Sequence, residues 1–246
     1  MESREAENAA LPRPWGYAAT FAWLLLAGAL AVAVSTAVLA LSRDGRIGTS
    51  ADLLSDGRLV AQLTLVSTVV EIAVVVLAAR LARWRAIDYL ALSVPNARAA
   101  VVPIAAMAAF VLGYDALTGL LNHDIVSDFQ LDTYRSARAA GALPMLWIAF
   151  VLIAPLGEEI IFRGFLYRGW ARSRRAVAPA IAAISALWAS MHVQYDWPGM
   201  LQIFLIGLVL GWARWRSGST LLAFVLHGLA NAWAMVETVA KVDWLS

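Results

Sequence analysis

The chain has 246 residues, of which 61% are hydrophobic and only 15% charged. Soluble domains run nearer half apolar and about a quarter charged, so this balance suits lipid as solvent. The formal net charge of +2 is too small to argue for a nucleic-acid partner, and the lack of cysteine excludes disulfides, thiolate catalysis and Cys-ligated zinc.

The start, Met1 to Ala10, carries three Glu and one Arg and lacks the basic region and cleavage site of a signal peptide. Apolar runs then fall at Gly16–Leu41, Leu59–Ala79, Ala99–Leu121, Leu143–Phe162, Val177–His192, Met200–Trp212 and Thr220–Val239. A bilayer crossing takes about 20 residues, and in lipid each backbone must satisfy its own hydrogen bonds, so every run is read as helix. The fold predicted is an all-α polytopic transmembrane bundle of seven helices, eight being the alternative count. It forms a single membrane domain over residues 1–246. The polar stretch Asn122–Gly141 is long for a loop and is expected to hold an amphipathic helix along one surface. No internal repeat is visible.

Arginine sets the expected orientation. The amino terminus and the second, fourth and sixth loops hold 13 Lys and Arg, the other loops and the carboxyl terminus six. The positive-inside rule places the first group in the cytoplasm, with the amino terminus inside. Charge carried almost wholly by Arg, with abundant Ala, points weakly to a bacterial cytoplasmic membrane.

Charged side chains inside a membrane helix cost about 2.5–3.5 kcal/mol each on insertion scales and tend to mark function. The second half carries Glu158, Glu159, Arg163, His192, His227 and Asn231, and the first half Glu71 and Asp115. Glu159 and Arg163, four apart in the favourable order, share a helix face and can pair. Glu158 is then left free and rotated away, as a general base requires. The competing reading puts all three at the headgroup boundary, where charge is cheap. Trp188 and His192 share a face of the fifth run, and His227 and Asn231 a face of the seventh. Interhelical hydrogen bonding is the alternative for these, and interhelical hydrogen bonding or pairing near an interface is the expected role of Glu71 and Asp115. Depth argues for convergence: Glu158 lies 17 residues before Arg175 and His192 lies 17 after it. In an antiparallel hairpin the two reach one height. His227, nine residues after Gly218, reaches a similar level, about 13 Å in at 1.5 Å per residue.

This set suits amide hydrolysis. Glu158 with His192 can bind and deprotonate water, while His227 and Asn231 bring donors suited to an oxyanion. Glu158, His192 and His227 are also a possible ligand set for a divalent metal, zinc above all, although no HExxH is present. Spacing does not separate a metal-bound water from one held by Glu and His alone. A catalytically silent scaffold and a proton-coupled carrier are the rival classes; the carrier predicts repeat symmetry between the halves.

Glu158-Glu159-x-x-x-Arg163, Trp188-x-x-x-His192 and His227-x-x-x-Asn231, with Phe162-Arg163-Gly164 and His227-Gly228 as flanks, resemble the CPBP family of intramembrane proteases. These are also called Abi or CAAX-type prenyl endopeptidases and are related to the Ras-converting protease. The resemblance covers about 154–234. It implies a catalytic core within 143–239, with Glu158 and His192 as the water-activating pair. His227 and Asn231 take the oxyanion or second-ligand positions, and Glu159 and Arg163 support them. Trp188 stands where the family often has Phe, which alters pocket shape. The resemblance further implies a cavity open to the cytoplasm and a membrane-associated peptide or protein as substrate. Bacterial relatives are linked to bacteriocin maturation or self-immunity, so a bacteriocin-immunity protein without catalysis is the alternative.

Overall fold

A computed structural model describes residues 12–42, 53 and 55–244. The acidic start Met1–Ala10 lies outside the described residues. The helices in chain order are α1 (Tyr17–Ser42), α2 (Gly57–Leu81), the short α3 (Ala86–Tyr89), α4 (Ala97–Leu120) and α5 (Asp128–Ala139). They are followed by α6 (Leu143–Trp170), α7 (Arg174–Ser190), α8 (Trp197–Ser217) and α9 (Thr220–Val239), which runs on as a π-turn to Trp244. The described residues contain no strand, as expected of an all-α bundle.

Six helices, α1, α2, α4, α6, α8 and α9, are long and apolar enough to cross a membrane. The fifth predicted run is helical but shorter than a full crossing: α7 is 17 residues, about 26 Å at 1.5 Å per residue, against a hydrocarbon core of about 30 Å. It starts late because Ser173 caps it, its side chain accepting from Ala176 N, and it stops at Met191. The count of seven is therefore six full-length helices plus one short one. Conversely the fourth run is longer than its apolar stretch implies. It continues through Arg163 and Arg168 to Trp170 because those arginines are absorbed by partners rather than left at an interface.

Apolar side chains face outward. Val32 (68% exposed) on α1 and Val101 (63%) on α4 would be unfavourable in water over so wide a surface and are at home against lipid. Helices touch through small residues instead. Ala27 and Ala31 are buried on α1, which packs along α2. On α8, Gly207 and Gly211 lie against Ser185 and Ile181 of α7, with no room for a Cβ at either. This small-x-x-x-small spacing is the usual way apolar helices approach closely without a hydrophobic drive.

The polar stretch after α4 does form an amphipathic helix. Ser127 and Gln130 make a capping box at the start of α5, and Leu131, Tyr134 and Ala137 turn inward. The bundle thus has two ends. At one, α3 and its flanks join α6 and α9: Arg168 Nε donates to Tyr89 O (2.7 Å) and Thr220 Oγ1 to Leu90 O (2.6 Å). At the other, α5 meets the start of α2 and the end of α9, through Gly57 N to Ser136 Oγ (3.2 Å) and Tyr134 Oη to Asp243 Oδ2 (2.8 Å). Burial, then Asp243, pushes the Tyr134 phenol above its usual range, so it remains the donor.

Helix α6 is irregular where it matters. Residues Ala149–Ile153 and Ile160–Leu166 are π-turns, a feature that often accompanies functional sites. In the first, Ala154 N bonds to Ala149 O, five residues back. The next N–H in that register would belong to Pro155, which has none, so the carbonyl of Phe150 is released. Asn231 Nδ2 from α9 takes it at 2.8 Å. Gly228 allows that approach, since a Cβ there would lie 2.8 Å from the Val151 carbonyl oxygen. Gly228→Val is therefore expected to cost about 1–3 kcal/mol, seen as a lower unfolding midpoint in detergent. Gly113→Ala on α4, where a Cβ meets nothing within 4 Å, should leave that midpoint unchanged or higher.

Candidate active site

The site is built around an ion pair inside the bundle. Glu159 (0% exposed) and Arg163 (1%) are joined by Arg163 Nη1 to Glu159 Oε1 at 2.8 Å. The i, i+4 pairing expected from the sequence is present, and it lies in the core rather than at a headgroup boundary. Arg163 also donates Nη2 to Gly207 O on α8 (3.2 Å) and lies over the Trp188 ring of α7, 4.6 Å from its centroid. His227 of α9 donates Nδ1–H to the same Glu159 oxygen at 3.0 Å. That contact was not foreseen: the sequence reading sent His227 directly to the reacting centre.

Glu158, one residue earlier, turns away into a cavity of about 130 Å³. Its wall includes Trp188, His192, His227 and Asn231, so the four expected catalytic residues share one chamber. Trp188 Nε1–H donates to Glu158 Oε2 at 2.6 Å, a bond no phenylalanine could make, and its ring makes edge contacts with both His192 and His227 at 5.2 Å. Trp188 is thus the hub of the site, a larger part than pocket shape alone. The ring of His192 is fixed by Nδ1 to Trp188 O at 2.8 Å. A carbonyl can only accept, so the proton sits on Nδ1 and the Nε2 lone pair is left free. The same holds for neutral His227.

Several wall residues escaped the sequence reading. Tyr195 and Gln202 line the chamber, and so does Glu237. Glu237 pairs with Asp115 through a shared donor, Trp233 Nε1, at 3.0 and 2.9 Å. For Asp115 the expected interhelical hydrogen bond is found. Glu71 departs from expectation: no hydrogen bond holds it among the described residues. It lines a second cavity of about 590 Å³, between α1, α2 and α7, that also reaches Glu158 and His192. The signal for Glu71 was a polar stripe, Thr64, Ser67, Thr68 and Glu71, at helical spacing on α2. Arg214, just past the apolar run Met200–Trp212 and so counted with the sixth loop, is buried. It is instead in the last turn of α8, donating Nε to Arg163 O and Thr220 Oγ1, both at 3.1 Å.

The chamber continues into a vestibule of about 570 Å³ walled by Asp124, Asp128, Tyr195 and Asp196. At its rim His123 Nε2 meets Asp196 Oδ2 at 2.9 Å, and Lys241 pairs with Asp124, whose carboxyl is held below its usual range by that hydrogen bond. The vestibule lies at the α5 end, opposite the Arg-rich end. With the Arg-rich end in the cytoplasm, as expected, the vestibule would open on the other face, whereas the second cavity reaches Glu158 and His192 from between α1, α2 and α7.

Residues 140–233 match a family of proteins described as type II CAAX prenyl endopeptidase Rce1-like. The match covers less than half of the chain. The match spans α6 to α9 as far as Trp233 and includes Glu158, His192, His227 and Asn231. An Escherichia coli protein described as an uncharacterized 24.3 kDa protein is 36% identical over 83 residues, which is 32% of this chain and 38% of the relative. The match thus spans well under half of that curated relative. No solved structure matches. This similarity, with six helices long and apolar enough to cross a membrane, marks an integral membrane protein.

A metal here would need Glu158, His192 and His227 as ligands together. The two Nε2 lone pairs and the Glu158 carboxylate are suitable atoms. Among the described residues, however, no three His, Asp or Glu side chains gather closely enough to hold an ion. As placed, the residues do not fit a three-ligand metal site.

Glu159→Gln would leave Arg163 buried with half its partner. We expect a loss of about 3–5 kcal/mol, measured as a fall in the unfolding midpoint. The double variant Glu159→Gln with Arg163→Met should recover part of it.

Proposed function

We propose that the protein is an intramembrane endopeptidase that hydrolyses peptide bonds of membrane-associated or lipidated peptides. The observation that carries this is the shared chamber: a carboxylate, two imidazoles with free Nε2 atoms and an amide, delivered by α6, α9 and the end of α7. A water held between Glu158 and the Nε2 of His192 loses a proton to Glu158 as its oxygen attacks the scissile carbonyl. The carbonyl oxygen, now negative, is stabilised by donors on the opposite wall, Asn231 among them. Glu158 returns the proton to the amine nitrogen as the C–N bond breaks, leaving a carboxylic acid, which keeps the second proton of the water, and an amine. Glu159 and Arg163 do not touch the substrate; they hold His227 and Trp188 in place.

An apolar groove of about 240 Å³ between α4 and α9 supports a substrate with a lipid chain. Ile104, Met107 and Leu226 line it, and it adjoins the chamber through Val111, Ala230 and Trp233. The orientation proposed is amino terminus inside. Arg168, Arg172, Arg174 and Arg175 crowd one end, while the vestibule end is rich in Asp. On that orientation the chamber opens to the non-cytoplasmic face. The silent-scaffold reading predicts a phenotype indifferent to Glu158.

Purified protein in proteoliposomes should cleave a quenched lipopeptide. Glu158→Gln and His192→Ala should each lose at least about 100-fold in kcat/KM, the scale of general acid–base catalysis. Wild-type rates in both variants would remove the enzyme reading. A chelator should leave the rate unchanged; loss on chelation restored by zinc would assign the water to a metal. Orientation is tested on a chain that has no native cysteine. Asp132→Cys should react with an impermeant maleimide on intact cells, and Arg175→Cys only after lysis.

A further inference from the structure

The donors of the chamber can be accounted for one by one. Trp188 Nε1–H is committed to Glu158, His192 Nδ1–H to a backbone carbonyl and His227 Nδ1–H to Glu159. One of the two amide hydrogens of Asn231 is committed to Phe150 O. With both imidazoles neutral, their Nε2 atoms are acceptors. With both rings neutral, the four side chains expected to be catalytic keep one uncommitted hydrogen between them, on Asn231, to meet a developing oxyanion. Oxyanion sites generally use more than one donor.

Tyr195 has an uncommitted hydroxyl. It lies in the turn between α7 and α8, three residues after His192, with its N–H on His192 O at 3.1 Å. Its ring is set between Phe129 (centroids 5.7 Å) and His192 (6.2 Å). The hydroxyl has no hydrogen-bond partner among the described residues. Nor is it among their buried unpartnered side-chain atoms, which are Glu159 Oε2 alone, so it is not sealed off, and the space beside it is the chamber. Tyr195 lines the chamber with Glu158 and His192, and also the small recess behind Asn231. Gln130 and Gln202 bring amides to the same wall; the Gln130 side chain is tied back to Ser127 in the α5 capping box and no hydrogen bond among the described residues fixes Gln202, whereas the Tyr195 ring is held on both sides, and a preorganised donor is worth more than a mobile one.

We infer that the Tyr195 hydroxyl is the second oxyanion donor, acting with the free amide hydrogen of Asn231 on the scissile carbonyl oxygen. Tyr195 hydrogen-bonds that oxygen as it gains charge and gives up no proton; the proton inventory stays with Glu158 and the leaving amine. This assignment rests on the endopeptidase reading above.

The test is Tyr195→Phe in the full chain in proteoliposomes, read with the quenched lipopeptide and with a phosphinate peptide as tetrahedral analogue. Phenylalanine keeps both ring contacts, so the unfolding midpoint should not move. The expected result is a fall in kcat of about 100-fold, typical of one lost oxyanion donor, with KM within about twofold. Analogue affinity should weaken in step while ground-state peptide affinity holds. A wild-type kcat, a change in KM alone, or an unchanged ratio of analogue to substrate affinity overturns the assignment. That affinity ratio does not depend on how much of the variant is folded. Glu158→Gln run alongside separates the two claims. If it is inactive and Tyr195→Phe is normal, only the tyrosine's role falls; if Glu158→Gln is fully active, the endopeptidase reading falls with it.

Discussion

An arginine and a glutamate buried together inside an apolar bundle cannot tolerate a missing partner, and that constraint organises this molecule. Arg163 and Glu159 neutralise each other along one helix, yet each has capacity left over. The guanidinium spends its remainder on the Gly207 carbonyl and the Trp188 ring, and the carboxylate on His227. One pair on α6 thus touches α7, α8 and α9. Because an unpaired buried charge is so costly, these contacts fix how the three helices turn about their axes, and so where Glu158, His192 and Asn231 point.

Close approach is the second requirement, and the chain meets it by omission of side chains and by strain in one helix. Gly157 sits where a Cβ would strike Thr68 of α2, Gly207 where it would strike Ser185, and Gly228 where it would meet the Val151 carbonyl. Pro155 interrupts the hydrogen-bond ladder of α6 and leaves the Phe150 carbonyl for Asn231 to satisfy. Asn231 therefore has two demands on it: it closes a gap in the backbone bonding and presents its other hydrogen to the chamber. A fault in the helix and the functional site are the same place.

Charge is divided between the ends of the bundle as well as within it. Arg168, stacked near Trp84 and Tyr89, and Arg214, over Tyr167, belong to the end where α3 is clamped. The opposite end opens through Asp124, Asp128 and Asp196 into the chamber. On the endopeptidase reading, a peptide entering there would meet carboxylates first and Glu158 with His192 last. Glu71 and Glu158 face a second, more apolar cavity toward α1, so Glu158 stands at a partition between a polar approach and a lipid-like one.

The sequence by itself determined the solvent, the helical class and the ion pair. Hydrophobic runs near bilayer length have no other stable backbone in lipid, and a four-residue spacing places Glu159 beside Arg163 in any helix. It also determined that three segments carry the polar side chains that meet in the chamber, because such groups are costly anywhere else in a membrane. It could not determine which atoms they offer one another. That Trp188 donates to Glu158, that His227 leans on Glu159, and that α7 stops short of a full crossing follow from helix rotation and capping, which depend on contacts between segments far apart in the chain. Tyr195 and Glu71 were hidden for the same reason: a tyrosine in a turn and a lone glutamate in a helix acquire meaning only when the surrounding helices decide what space they face.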